Sequence, residues 1–258
     1  MNESFNKAAL NYDDTFTHSD IGKLQRQRVY YWLNKTNFFK QNNSVFEINC
    51  GTGYDADIFN AKGLNIIATD ASSKMIEVSK KARHHNIEFF QLDFNNIEDG
   101  YKNSDVVFSN FGGLNCLNNK DLKLFSENMA RLQKSKESLV WIIMPKFCMV
   151  ETMYLISKFK FSQVFRRNTN DGIKVDVDGV KVETYYHSPK DLKTVLKPNY
   201  NIKLIKPVAY FLPPSYLEPF FKKHQKALRF LNKLDQFFSR FSFLSAWSDH
   251  YIIIAERK

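Results

Sequence analysis

The sequence predicts an α/β protein with a doubly wound, mostly parallel sheet, and three observations carry that prediction. Strand-like apolar runs alternate with helix-like stretches from residue 44 to residue 144, the pattern of successive β-α units. The first run, Val45-Phe46-Glu47-Ile48-Asn49, passes through Cys50 into the turn Gly51-Thr52-Gly53, where residues without a Cβ let the backbone reverse tightly and approach a ligand. Two later runs end in acids, Asn65 to Thr69 at Asp70 and Ile87 to Leu92 at Asp93. Acids at the carboxyl ends of parallel strands lie on the rim where open α/β sheets bind ligands.

Residues 4–40 read as helices, with Ser19-Asp20 capping a polar helix from Ile21 to Phe39 that carries Leu24, Val29, Tyr30 and Leu33. A strand over 44–49 leads to a helix over 54–62, whose Asp55 and Asp57 fall in the first turn where the macrodipole favours them. A strand over 65–69, a helix over 73–82, strands over 87–92 and 105–109, a helix over 119–134 and a strand over 138–144 complete the alternation. An apolar helix is expected from Phe147 to Phe165, because Val150, Tyr154, Phe161 and Phe165 approximate helical spacing. Ile173 to Val177 and Val180 to Tyr185 flank Asp178-Gly179, a strong signal for a two-residue hairpin turn. Ser188-Pro189 starts another helix with proline at its first position. Asn201 to Ala209 and His250 to Ala255 read as strands, and the stretch from Leu212 to Trp247 between them contains a long amphipathic helix with Phe and Leu opposed to Lys and Arg.

At 258 residues the chain suffices for one α/β domain with a sizeable core and a modest insertion. The start, Met1 to Asn6, has neither a basic nor an apolar leader region, and no apolar run approaches the ~18 residues that span a bilayer, so a cytoplasmic protein is expected. Cys50, Cys116 and Cys148 form no C-x-x-C pair, and six histidines form no ligand-spaced cluster with them, which argues against disulfides and a metal. Lys and Arg balance Asp and Glu, 17 against 17, up to Pro145 and outnumber them 20 to 10 from Lys146 onward, so the net charge of +10 resides in the C-terminal part.

With the glycine loop, Asp70 and Asp93 in this order, the chain resembles the class I S-adenosylmethionine-dependent methyltransferases over roughly residues 40–145, with a closing strand near 250. The resemblance implies a Rossmann-like, seven-stranded sheet whose last strand inserts antiparallel. It implies that Glu47 and the loop Asn49-Cys50-Gly51-Thr52-Gly53 hold the methionine part of the cofactor. Asp70 matches the acid that grips the ribose hydroxyls, Ala71 to Met75 the run along the adenine, and Asp93-Phe94 the pair that brackets the adenine. Phe5, Ala8-Ala9 and Tyr12-Asp13 look like the family's entry segment, in which an aromatic, here Tyr12, closes over the cofactor. The chain then divides into a helical cap (1–40), a cofactor-binding core (41–145), an acceptor-side insertion with the hairpin (146–200), and the last two core strands with the amphipathic helical insertion (201–258). One departure stands out: the family's loop usually begins with glycine, and Asn49 is the residue that best replaces it in left-handed geometry.

The expected reaction is in-line transfer of a methyl group from S-adenosyl-L-methionine, giving S-adenosyl-L-homocysteine, to a small lipophilic or aromatic acceptor, a preference drawn from the aromatic residues of both insertions. Asn110 after the fourth strand, with Asn115, is a candidate for orienting the acceptor; His187 and then His18 are candidate bases, and His250 is assigned a structural contact. The missing Asn-Pro-Pro-Tyr-type signature disfavours amide and nucleobase acceptors. The basic amphipathic helix is read as packed with a solvated face, as a lid, or as a contact with a membrane surface, while nucleic acid is disfavoured because no recognisable module accompanies the charge. Two alternatives stay open: a cofactor-binding module without catalysis, and a nicotinamide-dependent oxidoreductase, since Gly51-x-Gly53-x-x-Ala56 followed by Asp70 also satisfies the dinucleotide pattern. Glu47 and the lack of room for a separate catalytic domain argue against the latter.

Overall fold

The alternation becomes an ordered series of elements in the computed structural model, which describes residues 5–6, 9–10, 12–177 and 179–258. In chain order these are α1 (Asp20–Leu33), β1 (Ser44–Ile48), α2 (Tyr54–Ala61), β2 (Asn65–Asp70), α3 (Ser73–Ala82), β3 (Glu88–Gln91), β4 (Val106–Ser109), α4 (Asn119–Leu132), β5 (Ser138–Ile143), α5 (Met149–Ser157), β6 (Ile173–Val177), β7 (Val180–Thr184), α6 (Pro189–Leu196), β8 (Tyr200–Val208), α7 (Gln225–Phe238) and β9 (His250–Arg257). One sheet has the order β3-β2-β1-β4-β5-β9-β8. Its first five strands are parallel, and β9 lies antiparallel between β5 and β8, completing the seven strands that the family resemblance implied.

Strand periodicity sorts the core into two layers, because successive side chains point to opposite faces of the sheet. Val45, Val106, Phe108 and Ile142 pack with Val29 and Leu33 of α1 and Phe59 of α2. Phe46, Val107, Trp141 and Ile143 pack on the other face with Leu122 and Phe125 of α4 and Leu192 of α6. Both faces of the sheet are thus covered, and each fully buried large side chain contributes about 1.5–3 kcal/mol relative to leaving it in water.

Three helices differ from expectation, each for a local reason. The helix expected to reach Phe39 ends at Leu33, where the Thr36 hydroxyl donates to the Leu33 carbonyl (2.7 Å) and Phe38 folds back into the core. The helix expected over Phe147–Phe165 is confined to α5. Phe159 takes φ +56°, its N–H reaches Ile156 O (2.9 Å) and Lys160 N–H reaches Leu155 O (2.9 Å), which is a Schellman closure with phenylalanine where glycine is usual. The long C-terminal helix is broken at His224 (φ −124°, ψ 49°), so short turns over Ser215–Leu217 and Glu218–Phe221 precede α7. The expected hairpin forms between β6 and β7 with Val175 opposite Val182; Asp178 of its turn, and Met1–Ser4 and Ala8 of the entry segment, lie outside the described residues. The capping box at Ser188 also forms, its hydroxyl accepting from Asp191 N (3.2 Å) and Asp191 accepting from Ser188 N (2.9 Å).

Candidate active site

The strand order reverses at β1 and β4, so connections leave in opposite directions and open a crevice beyond the carboxyl ends of these strands. A cavity of ≈ 150 Å³ lies there, lined by Asn49 and Gly51 after β1, Asp70, Ala71 and Met75 after β2, Phe94 after β3, Asn110, Phe111, Gly112, Gly113 and Cys116 after β4, and Met144 after β5. Phe5 and Tyr12 close one side, and Val182 and Thr184 of the hairpin the other.

The loop after β1 is left-handed at Asn49 (φ +57°), Gly51 (φ +56°) and Gly53 (φ +73°). A Cβ at Gly53 would lie 2.6 Å from the Phe89 ring and 3.0 Å from Ser79 Cβ, so only glycine fits there. Asn49 takes the geometry expected of the missing glycine, and its side chain fits because Gly113 opposite has none: a Cβ at 113 would stand 2.5 Å from Asn49 Cβ. The loop is held from outside the cavity. Thr52 Oγ1 donates to Asp13 Oδ1 (2.5 Å), Arg83 pairs with the same carboxylate, and Arg83 Nε donates to Thr52 O (2.9 Å).

Asp70 is fixed by two backbone donors, Gly51 N to Oδ2 (2.9 Å) and Ser72 N to Oδ1 (2.8 Å). Burial raises its pKa, and these N–H groups oppose the rise. Asp93 instead turns to cap the following turn, accepting from Asn95 N (2.9 Å) and Asn95 Nδ2 (2.8 Å); its neighbour Phe94 lines the cavity, and Asp93 does not. Cys50 is a buried thiol pushed well up by burial and by the carboxylates of Asp70 and Glu47, an environment unlike that of a nucleophile.

Next to the cavity, a smaller void of ≈ 30 Å³ is lined by residues that include Tyr12, Thr17, Arg26, Glu47, Asp55 and Asn110. Nothing in the sequence points to Arg26 of α1, and Asp55 of α2 reads there only as an acid in the first turn of its helix. Asp55 accepts from Arg26 Nε (2.9 Å), Asn110 Nδ2 (2.9 Å) and the Tyr30 hydroxyl. Burial opposes the charge of Arg26, but Asp55 together with Tyr30 and Tyr12 more than restores it. Glu47 is buried and its carboxyl is held well above the usual range, first by burial and then by the Asp55 charge. Three buried polar atoms of residues lining this void, Glu47 Oε2, Arg26 Nη1 and Thr17 Oγ1, have no hydrogen-bond partner. A helical arginine more than twenty residues upstream of the glycine loop gives no local signal of this role.

The remaining candidates are placed as follows. The Asn110 amide is engaged internally, donating to Asp55 and accepting from Phe111 N (2.9 Å). Asn115 is a buried clip, accepting from Met144 N (2.9 Å) and donating to Met144 O (3.1 Å) and Tyr185 O (2.6 Å). His187 is buried with Nδ1 at Asn119 Oδ1 (2.9 Å) and Nε2 at Leu117 O (2.8 Å), and His18 lies beside Asp14 and the Tyr54 ring; neither lines the cavity. His250 packs edge-on against Phe111 and pairs with Asp249 (3.2 Å). Among the described residues no group of His, Cys, Asp and Glu is arranged to hold a metal ion, and no helix is long and apolar enough to cross a membrane.

Comparison with known proteins agrees with this geometry. The sequence model of a methyltransferase domain family matches residues 45–136. The malonyl-[acyl-carrier protein] O-methyltransferase of Priestia megaterium is 37% identical over 83 residues, 31% of this chain, and the chain spans only 29% of that relative's length. Among solved structures, the PH0226 protein of Pyrococcus horikoshii superposes with a TM-score of 0.60 at 14% identity over 96% of this chain and 99% of its own. The magnesium protoporphyrin IX methyltransferase of Synechocystis, solved with S-adenosylhomocysteine bound, superposes with a TM-score of 0.58 at 14% identity over 93% of this chain and 86% of its own. The chain therefore has the class I, Rossmann-like methyltransferase fold, and its residues 45–136 are similar to a methyltransferase domain.

Proposed function

We propose that the protein transfers a methyl group from S-adenosylmethionine to a small lipophilic or aromatic acceptor and releases S-adenosylhomocysteine. The observation that carries this reading is the polar niche beside the cavity, where Glu47 Oε2 and Arg26 Nη1 are buried without partners. Buried polar atoms without partners are costly, so a niche offering an unpartnered Glu47 oxygen and an unpartnered Arg26 N–H suits a zwitterion, with ammonium on Glu47 and carboxylate on Arg26. The amino-acid end of S-adenosylmethionine is such a group. Asp70, held at the rim by Gly51 and Ser72, is positioned to accept from a vicinal diol such as the ribose hydroxyls, and Met75 and Phe94 offer apolar flanks to the adenine. A dinucleotide pyrophosphate would instead meet the Glu47 carboxylate.

The bound sulfonium supplies an electrophilic methyl carbon. The chain's task is then alignment and exclusion of water; Met144 and Val182 supply apolar wall that the niche does not share, and Phe111 lines both cavity and niche. Among the described residues the cavity lining contains no histidine or lysine, and its Cys116 thiol is pushed up to about 12 by burial. The pH dependence of turnover should accordingly follow the acceptor's own ionisation.

Calorimetric titration with S-adenosylmethionine, S-adenosylhomocysteine and, in parallel, NADH tests the donor. Asp70→Ala should weaken binding of the first two on the order of 100-fold, the loss of two charge-assisted hydrogen bonds. Because burial and Asp55 raise the Glu47 carboxyl, affinity should climb as pH rises above the ordinary glutamate range, and Glu47→Gln should flatten that climb. NADH binding in place of the sulfonium would overturn the reading, and turnover of polar, water-soluble acceptors alone would overturn the acceptor class.

A further inference from the structure

Outside the cavity, the most distinctive surface belongs to α7 and the turn that follows it. The helix turns its leucines inward and its lysines and arginine outward, but one acid lies on the inner side and two of its three phenylalanines, Phe230 and Phe237, lie on the outer side. Asp235 is fully buried, paired with Arg28 of α1 (3.3 Å) and accepting from Phe211 N (3.0 Å), and Leu228 packs with Ile21 and Leu212. This anchoring turns Phe230 (60% exposed) and Phe237 (52%) to solvent, and Phe243 (67%) continues the ridge, with Phe241 6.1 Å from Phe237 and 6.0 Å from Phe243 between ring centroids. Lys226, Arg229, Lys233 and Arg240 are exposed on the same helix and its end.

The charge of this face is one-sided. From Pro219 to Trp247 the single acid is the buried Asp235, and from Lys146 to Asn170 it is Glu151, also buried, in ion pairs with Arg166 and Arg167. The two stretches adjoin, since Met149 N donates to Trp247 O (2.9 Å), and the earlier one adds exposed Phe159 and Phe161 beside Lys158 and Lys160. Within each of these two stretches the exposed side chains include cations and aromatic rings but no carboxylate.

We infer that this face docks the protein on an anionic lipid surface, with the phenylalanines entering the headgroup boundary and the lysines and arginines meeting lipid phosphates. Charge complementarity selects the occupant. A second copy placed symmetrically on this face would set the cations of α7 against their equivalents, which is unfavourable. A nucleic acid would satisfy the cations but leave the phenylalanine ridge facing water between phosphates, whereas an interfacial helix uses both features together. The inference is independent of the methyl-transfer reading, because none of these side chains lines the cavity or the niche.

The test is co-flotation of the full chain with phosphatidylcholine vesicles containing or lacking about 30 mol% phosphatidylglycerol, at about 0.05 and 0.5 M salt, both chosen to vary charge screening. The expected result is capture by the anionic vesicles alone, weakening with salt. Lys226→Gln/Arg229→Gln/Lys233→Gln should lower partitioning on the order of 100-fold, at about fivefold per charge near the surface. Phe230→Ser/Phe237→Ser/Phe243→Ser should abolish it while leaving the circular dichroism spectrum, the melting temperature and cofactor binding unchanged, which separates loss of docking from loss of fold or of the cavity. Equal capture by both vesicle types, no capture by either, or tighter capture by a single-stranded oligonucleotide would overturn the inference. So would light scattering that shows a dimer dissociated by the phenylalanine substitutions.

Discussion

At the scale of single residues, the loop after β1 shows how one substitution in a tight motif is accommodated across space. Asn49 holds φ +57°, and Gly113 leaves the volume its side chain needs. Gly113→Ala should therefore destabilise by about 1–3 kcal/mol through overpacking, and adding Asn49→Gly should recover most of that loss. Urea denaturation of the two single variants and the double variant measures the coupling, and simple additivity would show that the two sites do not communicate. His187 makes a different point. Burial pushes its pKa down to about 4, against the partial support of its bond to Leu117 O. The folded state binds fewer protons than the unfolded one between the two pKa values, so stability is present above about pH 6.5 and is lost as pH falls toward 4. His187→Gln should remove about 2 kcal/mol of the stability difference between pH 7 and pH 5, read from urea midpoints at the two values.

Elements meet the site through a few polar clips rather than through their own length. The hairpin of β6 and β7 reaches the cavity because Asn115 binds both Met144 at the end of β5 and Tyr185 after β7, and because Tyr185 N donates to Asn115 O (2.7 Å). Asn115→Ala would leave Met144 N and Tyr185 O without these partners and should cost about 3 kcal/mol. Hydrogen exchange should then show β6 and β7 opening ahead of the sheet; uniform loss of protection would mean that the hairpin is an integral part of the core. Helix α5 depends on a comparably local device, the left-handed Phe159, which stops an apolar periodicity that runs on in the sequence.

At the scale of the molecule, a buried ionic network joins parts far apart in sequence. Asp249 at the start of β9 accepts from Arg167 Nη2 (2.9 Å) and Gln25 Nε2 (3.1 Å) and faces His250 Nδ1 (3.2 Å), while Arg167 also pairs with Glu151 of α5. Against the effect of burial, His250 and Arg167 hold the Asp249 carboxyl well below the usual range. Asp249→Ala would strand a buried guanidinium and should destabilise by about 3–5 kcal/mol at neutral pH, measurable by chemical denaturation. A loss under about 1 kcal/mol would mean that the first insertion and α1 are held to the sheet by apolar packing alone.

What the sequence determined by itself is what depends on neighbours along the chain. Strand and helix alternation follows from hydrophobic period, the glycine loop and the acid of Asp70 from their position at strand ends, and the helix start at Ser188 from a capping pattern within four residues; even the left-handed geometry of Asn49 follows from residue type. The family resemblance supplied the seven-stranded sheet with its antiparallel last strand, which periodicity does not encode, and the structure supplied the strand order. Only the tertiary structure decided which groups face one another: Arg26 against Asp55 beside an open Glu47, Gly113 against Asn49, His187 turned into Leu117 and Asn119, and Asp235 buried so that phenylalanines point outward. The physical reason is that pairing of buried charges and the rotation of a helix about its axis are settled by contacts between segments tens to hundreds of residues apart, which no local pattern of residue types specifies.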